Sequence, residues 1–346
     1  MSLGNNAHFH EWDGRDIGET IEFCYEQGWS DGLPVVPPLE RLVEAMLGAD
    51  PRAPETIICS HPATERHCTL LSAAVNAVMA GCLPEYFPVV VAALEAANKP
   101  EFSFHASTAS TGGSAPLVVV SGPIVDAIGM NAGAGVCGSG NRANATIGRS
   151  LRLVIMNVFQ MIPGLSDQST QGHPGKYTFC IAERADASPW EPLAVDQGFD
   201  AADSTVTVYA GAGFNNIENH GGQTPEAILL CAADAMSSLS CITPGQAVVV
   251  LSPEHVRIIG RAGWSRTDVK EYLFEHATRT TAQLEAVGKL SRRQYGDGAE
   301  GVVHRGRSPK DILVVVAGGD AGGHSAFIPS WSRTRGSIMQ TVKVRG

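Results

Sequence analysis

Three short, almost wholly apolar runs constrain this chain most: residues 116–120, 246–251 and 312–317, each rich in valine. A run of this length is too short for a core helix and too continuous for a strand with one wet face. Each therefore reads as a strand buried on both sides. Stretches of helical spacing alternate with them. Over residues 69–80, Leu70, Leu71, Ala74, Val75, Val78 and Met79 repeat at that spacing, and Gly81 follows as a stop. The same reasoning predicts helices over residues 17–27, 39–47, 84–97, 143–156, 225–236, 253–261 and 268–276, with further strands over 56–58 and 205–209. Strands alternating with helices predict an α/β fold: a mostly parallel sheet with helices on both faces, two similar lobes being one form of it.

The order of these elements divides the chain into an N-terminal extended and helical segment (1–55), a first lobe (56–165), a loop-rich connector (166–204) and a second lobe (205–346). One internal echo crosses the division. Val118-Val119-Val120, Pro123, Ile128 and Ala132-Gly133 recur 130 positions on as Val248-Val249-Val250, Pro253, Ile258 and Ala262-Gly263. A duplicated half and a chance likeness of two strand–proline–helix units both account for it.

Composition narrows the function classes. With 346 residues, 44% hydrophobic and 17% charged, the chain can bury a large core. A net charge of -10 and no run of Lys or Arg argue against sequence-independent nucleic-acid binding. No stretch approaches the roughly 18–20 apolar residues of a membrane span, and residues 1–14 contain no secretory core. No membrane partner is expected. Eight cysteines with no C-x-x-C pair point to a reducing cytoplasm.

Candidate chemistry collects in four places. Residues 131–144 (NAGAGVCGSGNRAN) contain the G-x-G-x-x-G of a dinucleotide loop, but no strand directly precedes it and no acidic residue follows at about 20 positions, so no nucleotide cofactor is expected. A glycine-rich loop before a helix still suits an anion. Arg142 and Arg149, seven apart, fall on one helix face as a clamp, with Asn144 beside them. Cys137, among the glycines, is the candidate nucleophile, and that position is expected to lower its pKa. A second glycine cluster, residues 318–325, follows the last buried strand and offers Gly319 and Ser325 for substrate. The connector supplies His173, Lys176 and Glu183 for proton transfer. Cys59, His61, His67 and Cys68 lie close in sequence without a zinc spacing, so no metal site is assigned, and a transition metal belongs to a rival reading.

Three segments resemble chains identified as members of the UGSC family of (seleno)proteins: WSDGLPVVPP at 29–38, RANATIGR at 142–149, and GHPGKYTFC at 172–180 with SPWEP at 188–192. The likeness runs to about residue 199, with a looser match over 318–329, and adds Ser30 and Asp31 to the substrate-binding candidates. The family name refers to a selenocysteine-Gly-Ser-Cys motif, which implies thiol or selenol redox chemistry. The nearest string here is Cys137-Gly138-Ser139-Gly140, in which Gly140 stands where the family has its cysteine. The expectation is an enzyme acting on a small anionic organic molecule by thiol or acid–base chemistry. A metal-dependent hydrolase or lyase and a non-catalytic binding protein are the alternatives, and a homo-oligomer stays open.

Overall fold

The computed structural model describes residues 16–242, 245–289, 301–331 and 336–345; the polar start, 1–14, lies outside them. The chain forms two compact units. Unit 1 comprises Met1–Glu183, Pro192–Ala210 and Gly336–Gly346, and unit 2 comprises Arg184–Glu191 and Gly211–Arg335.

Unit 1 opens with helices α1 (Ile17–Glu26) and α2 (Glu40–Leu47), then the hairpin of β1 (Ile57–His61) and β2 (Arg66–Thr69). Helices α3 (Leu70–Ala80), α4 (Phe87–Ala97) and α5 (Phe104–Thr108) follow. Strand β3 (Ala115–Ser121), the single turn α6 (Ile124–Ala127), α7 (Arg142–Leu153), β4 (Cys180–Ala182), the turn α8 (Leu193–Asp196) and β5 (Thr205–Gly211) come next. α3 and α4 are apolar around nearly their whole circumference, so neither can face water. Both sit in the core. Thr69 caps α3 at its start and Gly81, with φ 92°, ends it in the left-handed conformation that glycine tolerates.

In unit 2, β6 (Asn215–Glu218) leads to α9 (Pro225–Ser237), β7 (Ala247–Leu251), α10 (Pro253–Arg261) and α11 (Arg266–His276). Strand β8 (Thr278–Thr280), α12 (Thr281–Ala286), β9 (Val302–His304), β10 (Ile312–Val316) and β11 (His324–Pro329) complete it, and β12 (Gln340–Lys343) belongs to unit 1. Its core joins Leu229, Ala233 and Met236 of α9 and Leu273 of α11 to Val249, Val314 and Phe327 of the strands. Among the described residues no helix is long and apolar enough to cross a membrane.

The expectation of a mostly parallel sheet with helices on both faces and two similar lobes is corrected by the strand pairing. The sheets are small and mixed in direction. Unit 1 holds a four-stranded sheet ordered β12-β5-β3-β4, with β3 parallel to β4 but β12 antiparallel to β5. Unit 2 holds one ordered β10-β7-β11-β6, with β10 parallel to β7 but β11 antiparallel to both β7 and β6. Helical crossovers join both parallel pairs, β3 to β4 and β7 to β10, although β4 was not among the expected strands. Two of the antiparallel partners, β6 and β12, carry little apolar signal, while β11 is buried at five of its six residues. The 130-residue echo falls on β3 and β7, each an inner strand with a parallel neighbour, after which α6 is one turn where α10 runs nine residues.

Candidate functional site

The segment 29–38 lies extended over α3 and the helix α7, and buried polar groups hold it there. The N–H of Val36 donates to the Met79 carbonyl, and Asn157 Nδ2 donates to both Trp29 O and Asn76 Oδ1. The strongest tie is Arg149, whose Nε and Nη2 reach the two oxygens of Asp31 at 2.9 and 2.7 Å. Nη2 also donates to the carbonyls of Leu33 and Pro34. Such a fork is specific to arginine.

One turn after Arg149, α7 passes into a π-helical turn, Val154–Val158, and Gln160 then takes φ 58°, a left-handed conformation costly for a residue with a Cβ. Pro163 to Asp167 fold back, and Asp167 becomes the hub of a charge cluster. Its Oδ2 accepts from Lys176 Nζ at 2.6 Å and from Arg152 Nη2 at 3.3 Å, and its Oδ1 accepts from Ser169 Oγ at 2.6 Å. Desolvation opposes the Asp167 charge, but the Lys176 and Ser169 hydrogen bonds outweigh it and hold the carboxyl below its usual range. Desolvation likewise lowers both Lys176 and Arg152, against the pull of Asp167.

These groups wall a cavity of about 510 Å³ in unit 1. Asp31, Arg152, Asp167, His173, Lys176 and Tyr177 supply its polar lining. His173 precedes a 3₁₀ turn, Pro174–Lys176, and its Nδ1 accepts from the Gly175 N–H at 3.1 Å. The proton of the neutral ring therefore sits on Nε2. Two glycines allow this wall to form. At Gly148 a Cβ would stand 2.8 Å from the Phe179 nitrogen, so its absence lets α7 touch the chain entering β4. Gly172 takes φ 68° and meets Gly113 backbone to backbone.

Of the residues expected from sequence, Asp31, His173 and Lys176 share this cavity, and Arg149 holds Asp31 in place. The others do not line it. Arg142 donates through Nε to Gly81 O, closing the end of α3, and so forms no clamp with Arg149. The two guanidiniums are committed to different partners, Arg142 to Gly81 and Arg149 to Asp31. Asn144 is buried and spends its amide on the backbone of Asn131, accepting from its N–H at 2.9 Å and donating to its carbonyl at 2.8 Å. Ser30 closes a turn with Gly32 and Leu33. Glu183 is buried at the end of β4, where it accepts from Ser121 Oγ and from the N–H of Leu193. In unit 2, Ser325 is buried and bonded to His255 Nδ1 at 2.7 Å, while Gly319 lies in the loop before β11. Arg152 and Asp167 were missed, although Arg149-x-x-Arg152 places two arginines on one helix face.

The chemistry expected of Cys137 is also corrected. Its side chain is exposed, four residues ahead of the Asn141 cap, beyond the reach of the helix end. Desolvation by the surrounding loop pushes the thiol up to about 11 instead of down. Cys59 and Cys68 face each other across the β1–β2 hairpin, both fully buried, and burial raises both thiols, Cys68 to about 12. His61, between Thr64 and Thr108, is lowered to about 4 by burial and by His105. Among the described residues no three His, Cys, Asp or Glu side chains come together as a metal ion requires. No family model, curated protein or solved structure matches this chain.

Proposed function

We propose that the unit 1 cavity binds a small organic monoanion, a carboxylate in the simplest case, and that the chain is an enzyme acting on it by acid–base chemistry. One observation carries this reading: the charges around the cavity do not cancel. Arg149, behind the lining, is matched by Asp31, which acts on Arg152 only at longer range, while Lys176 and Arg152 share the single carboxylate of Asp167. One positive charge is left over in a partly desolvated wall, and its longer contact marks Arg152 as the group with capacity to spare.

His173, donating from Nε2, and Tyr177 lie on the same wall and are the proton-transfer candidates beside a bound anion. Lys176 contributes positive charge. The resemblance to the UGSC family supports treating this as one site, because Asp31, Arg149 and residues 172–177 come from its three matching segments. A thiol mechanism has less support, since Cys137 does not line the cavity and its thiol is raised.

The test is a thermal-shift panel of small mono- and dicarboxylates at constant ionic strength. Arg152→Met removes the surplus charge and keeps the Asp167–Lys176 pair. It should leave the unliganded melting temperature nearly unchanged and abolish stabilisation by the anion. No carboxylate response in the unmodified protein rejects the reading.

A further inference from the structure

Two segments singled out in the sequence, the 318–325 glycine cluster and the start of the SPWEP string, do not line the unit 1 cavity, yet Asp320 of the first and Ser188 and Pro189 of the second line one cleft in unit 2. This second cleft, between them and α10, has a volume of about 490 Å³. Its charged lining is Arg184, Asp186, Arg257, Arg261 and Asp320.

The cleft has a fixed frame. Gly260 of α10 permits close packing of the connector, because a Cβ there would stand 2.8 Å from the Pro189 ring. Trp190 Nε1 donates to Trp264 O at 2.9 Å, and the Arg266 guanidinium lies over the Trp190 ring at 5.4 Å. On the opposite wall, Arg184 grips Asp320 through Nη1 and Nη2 at 3.0 and 3.1 Å and donates to Gly318 O. Arg184 also stands 3.4 Å from Asp186.

Arg257 and Arg261 are different. One turn apart on α10, they line the cleft together; Arg257 attracts Asp320 at longer range, but among the described residues neither guanidinium makes a side-chain hydrogen bond or a contact ion pair. Three guanidinium groups face two carboxylates, both carried by exposed side chains. In a chain of net charge -10 this is a local excess of positive charge in an open cleft.

We propose that this cleft is a phosphate-binding site whose ligand is a phosphate dianion, free or as the monoester of a small molecule. Two guanidiniums one helical turn apart, neither held in a contact ion pair, offer forked donors and two charges, which match the charge and the three terminal oxygens of such a group. A single carboxylate would satisfy only one of them. Asp186 and Asp320 at the margin disfavour a long polyanion, whose further charges would meet theirs.

The experiment measures stabilisation and calorimetric binding of the full chain by inorganic phosphate and by glycerol 3-phosphate, with sodium chloride at matched ionic strength as the reference. Binding by either phosphate in the unmodified protein is expected. Arg257→Ala and Arg261→Ala should each weaken it by roughly tenfold or more, and the double substitution should abolish it. Both sites are exposed on a helix surface, so these variants retain the fold. Arg41→Ala, on exposed α2, should bind as the unmodified chain does, and Arg152→Met should also retain the phosphate response, which separates this site from the unit 1 cavity. Binding of the monoester at least as tight as inorganic phosphate identifies an organic ligand, and tighter binding of inorganic phosphate identifies the free ion. No phosphate response beyond that of chloride, or a response that survives the double substitution, overturns the proposal.

Discussion

Replacing Asp167 by Asn probes the charge arrangement of the unit 1 cavity from the other side. The substitution keeps size and still lets the side chain accept from Ser169, but it removes the carboxylate that Lys176 and Arg152 share, leaving Asp31 as the more distant attraction on Arg152. Those two side chains are 14% and 11% exposed, so solvent cannot fully replace the lost partner. Breaking a buried ion pair costs about 3–5 kcal/mol, and the residual solvent contact places this case near 3. For a body the size of unit 1 that corresponds to a fall in melting temperature of roughly 6–12 °C. The same change raises the surplus of positive charge around the cavity from one to two. A small carboxylate should therefore restore much of the lost stability, and its stabilising effect should exceed that seen in the unmodified protein. Thermal unfolding across an acetate or propionate series at fixed ionic strength measures both effects. A destabilised variant with no larger anion response would refute the view that the Lys176–Arg152 pair attracts anions to this cavity.

Four further outcomes follow from the geometry. Arg149→Lys should destabilise by roughly 2–3 kcal/mol in urea titrations, because an ammonium cannot replace the fork that spans Asp31 and two carbonyls. Brief alkylation near neutral pH should label exposed Cys231 ahead of Cys137, whose thiol is pushed up by desolvation and so holds less of the reactive thiolate form. Peptide mapping that finds Cys137 first would reverse this assignment. His61 has a folded pKa near 4, below its unfolded value of about 6.5, so its contribution is complete above pH 6.5 and is lost as pH falls from 6.5 towards 4. That drop of about 3 kcal/mol should flatten in His61→Gln when urea stability is measured across the window. Gly148→Ala should cost roughly 1–3 kcal/mol by forcing α7 away from Phe179, read as a lower urea midpoint.

The elements that could be read from the sequence are those whose burial is uniform. The valine runs of β3, β7 and β10 and the apolar helices α3 and α4 stand where periodicity and Gly81 predict them. The strands that escape notice sit where packing leaves little trace. β6 and β12 are the ends of their sheets; β6 buries only Ile217, and β12 buries none of its four residues. Their conformation is set by the partner strand rather than by their own composition. β11 begins directly after a glycine cluster and ends in Pro329, which disguises a strand buried at Ser325–Pro329. Because these strands are the antiparallel ones, missing them produced the expectation of parallel sheets.

The site was legible in part for a similar reason. Asp31, Arg149, His173 and Lys176 are polar groups set in proline- and glycine-rich strings, and such strings mark loops that approach a cavity. Asp167 gave no signal of its own, since its role depends on the fold-back of residues 163–167, a tertiary event. Arg142 misled because helical spacing places it on the face of Arg149 but does not fix the direction of its side chain, which turns to the end of α3.

The most direct test of the account is to locate a small carboxylate in the folded protein. Crystals exposed to 3-bromopropionate, with data collected at the bromine absorption edge, mark the ligand by its anomalous signal. The account predicts a bromine peak inside the unit 1 cavity, with the carboxylate in hydrogen-bond contact with Arg152 and Lys176 and beside His173. Bromine density confined to other surfaces, with this cavity unoccupied at ligand concentrations that stabilise the protein, would contradict it.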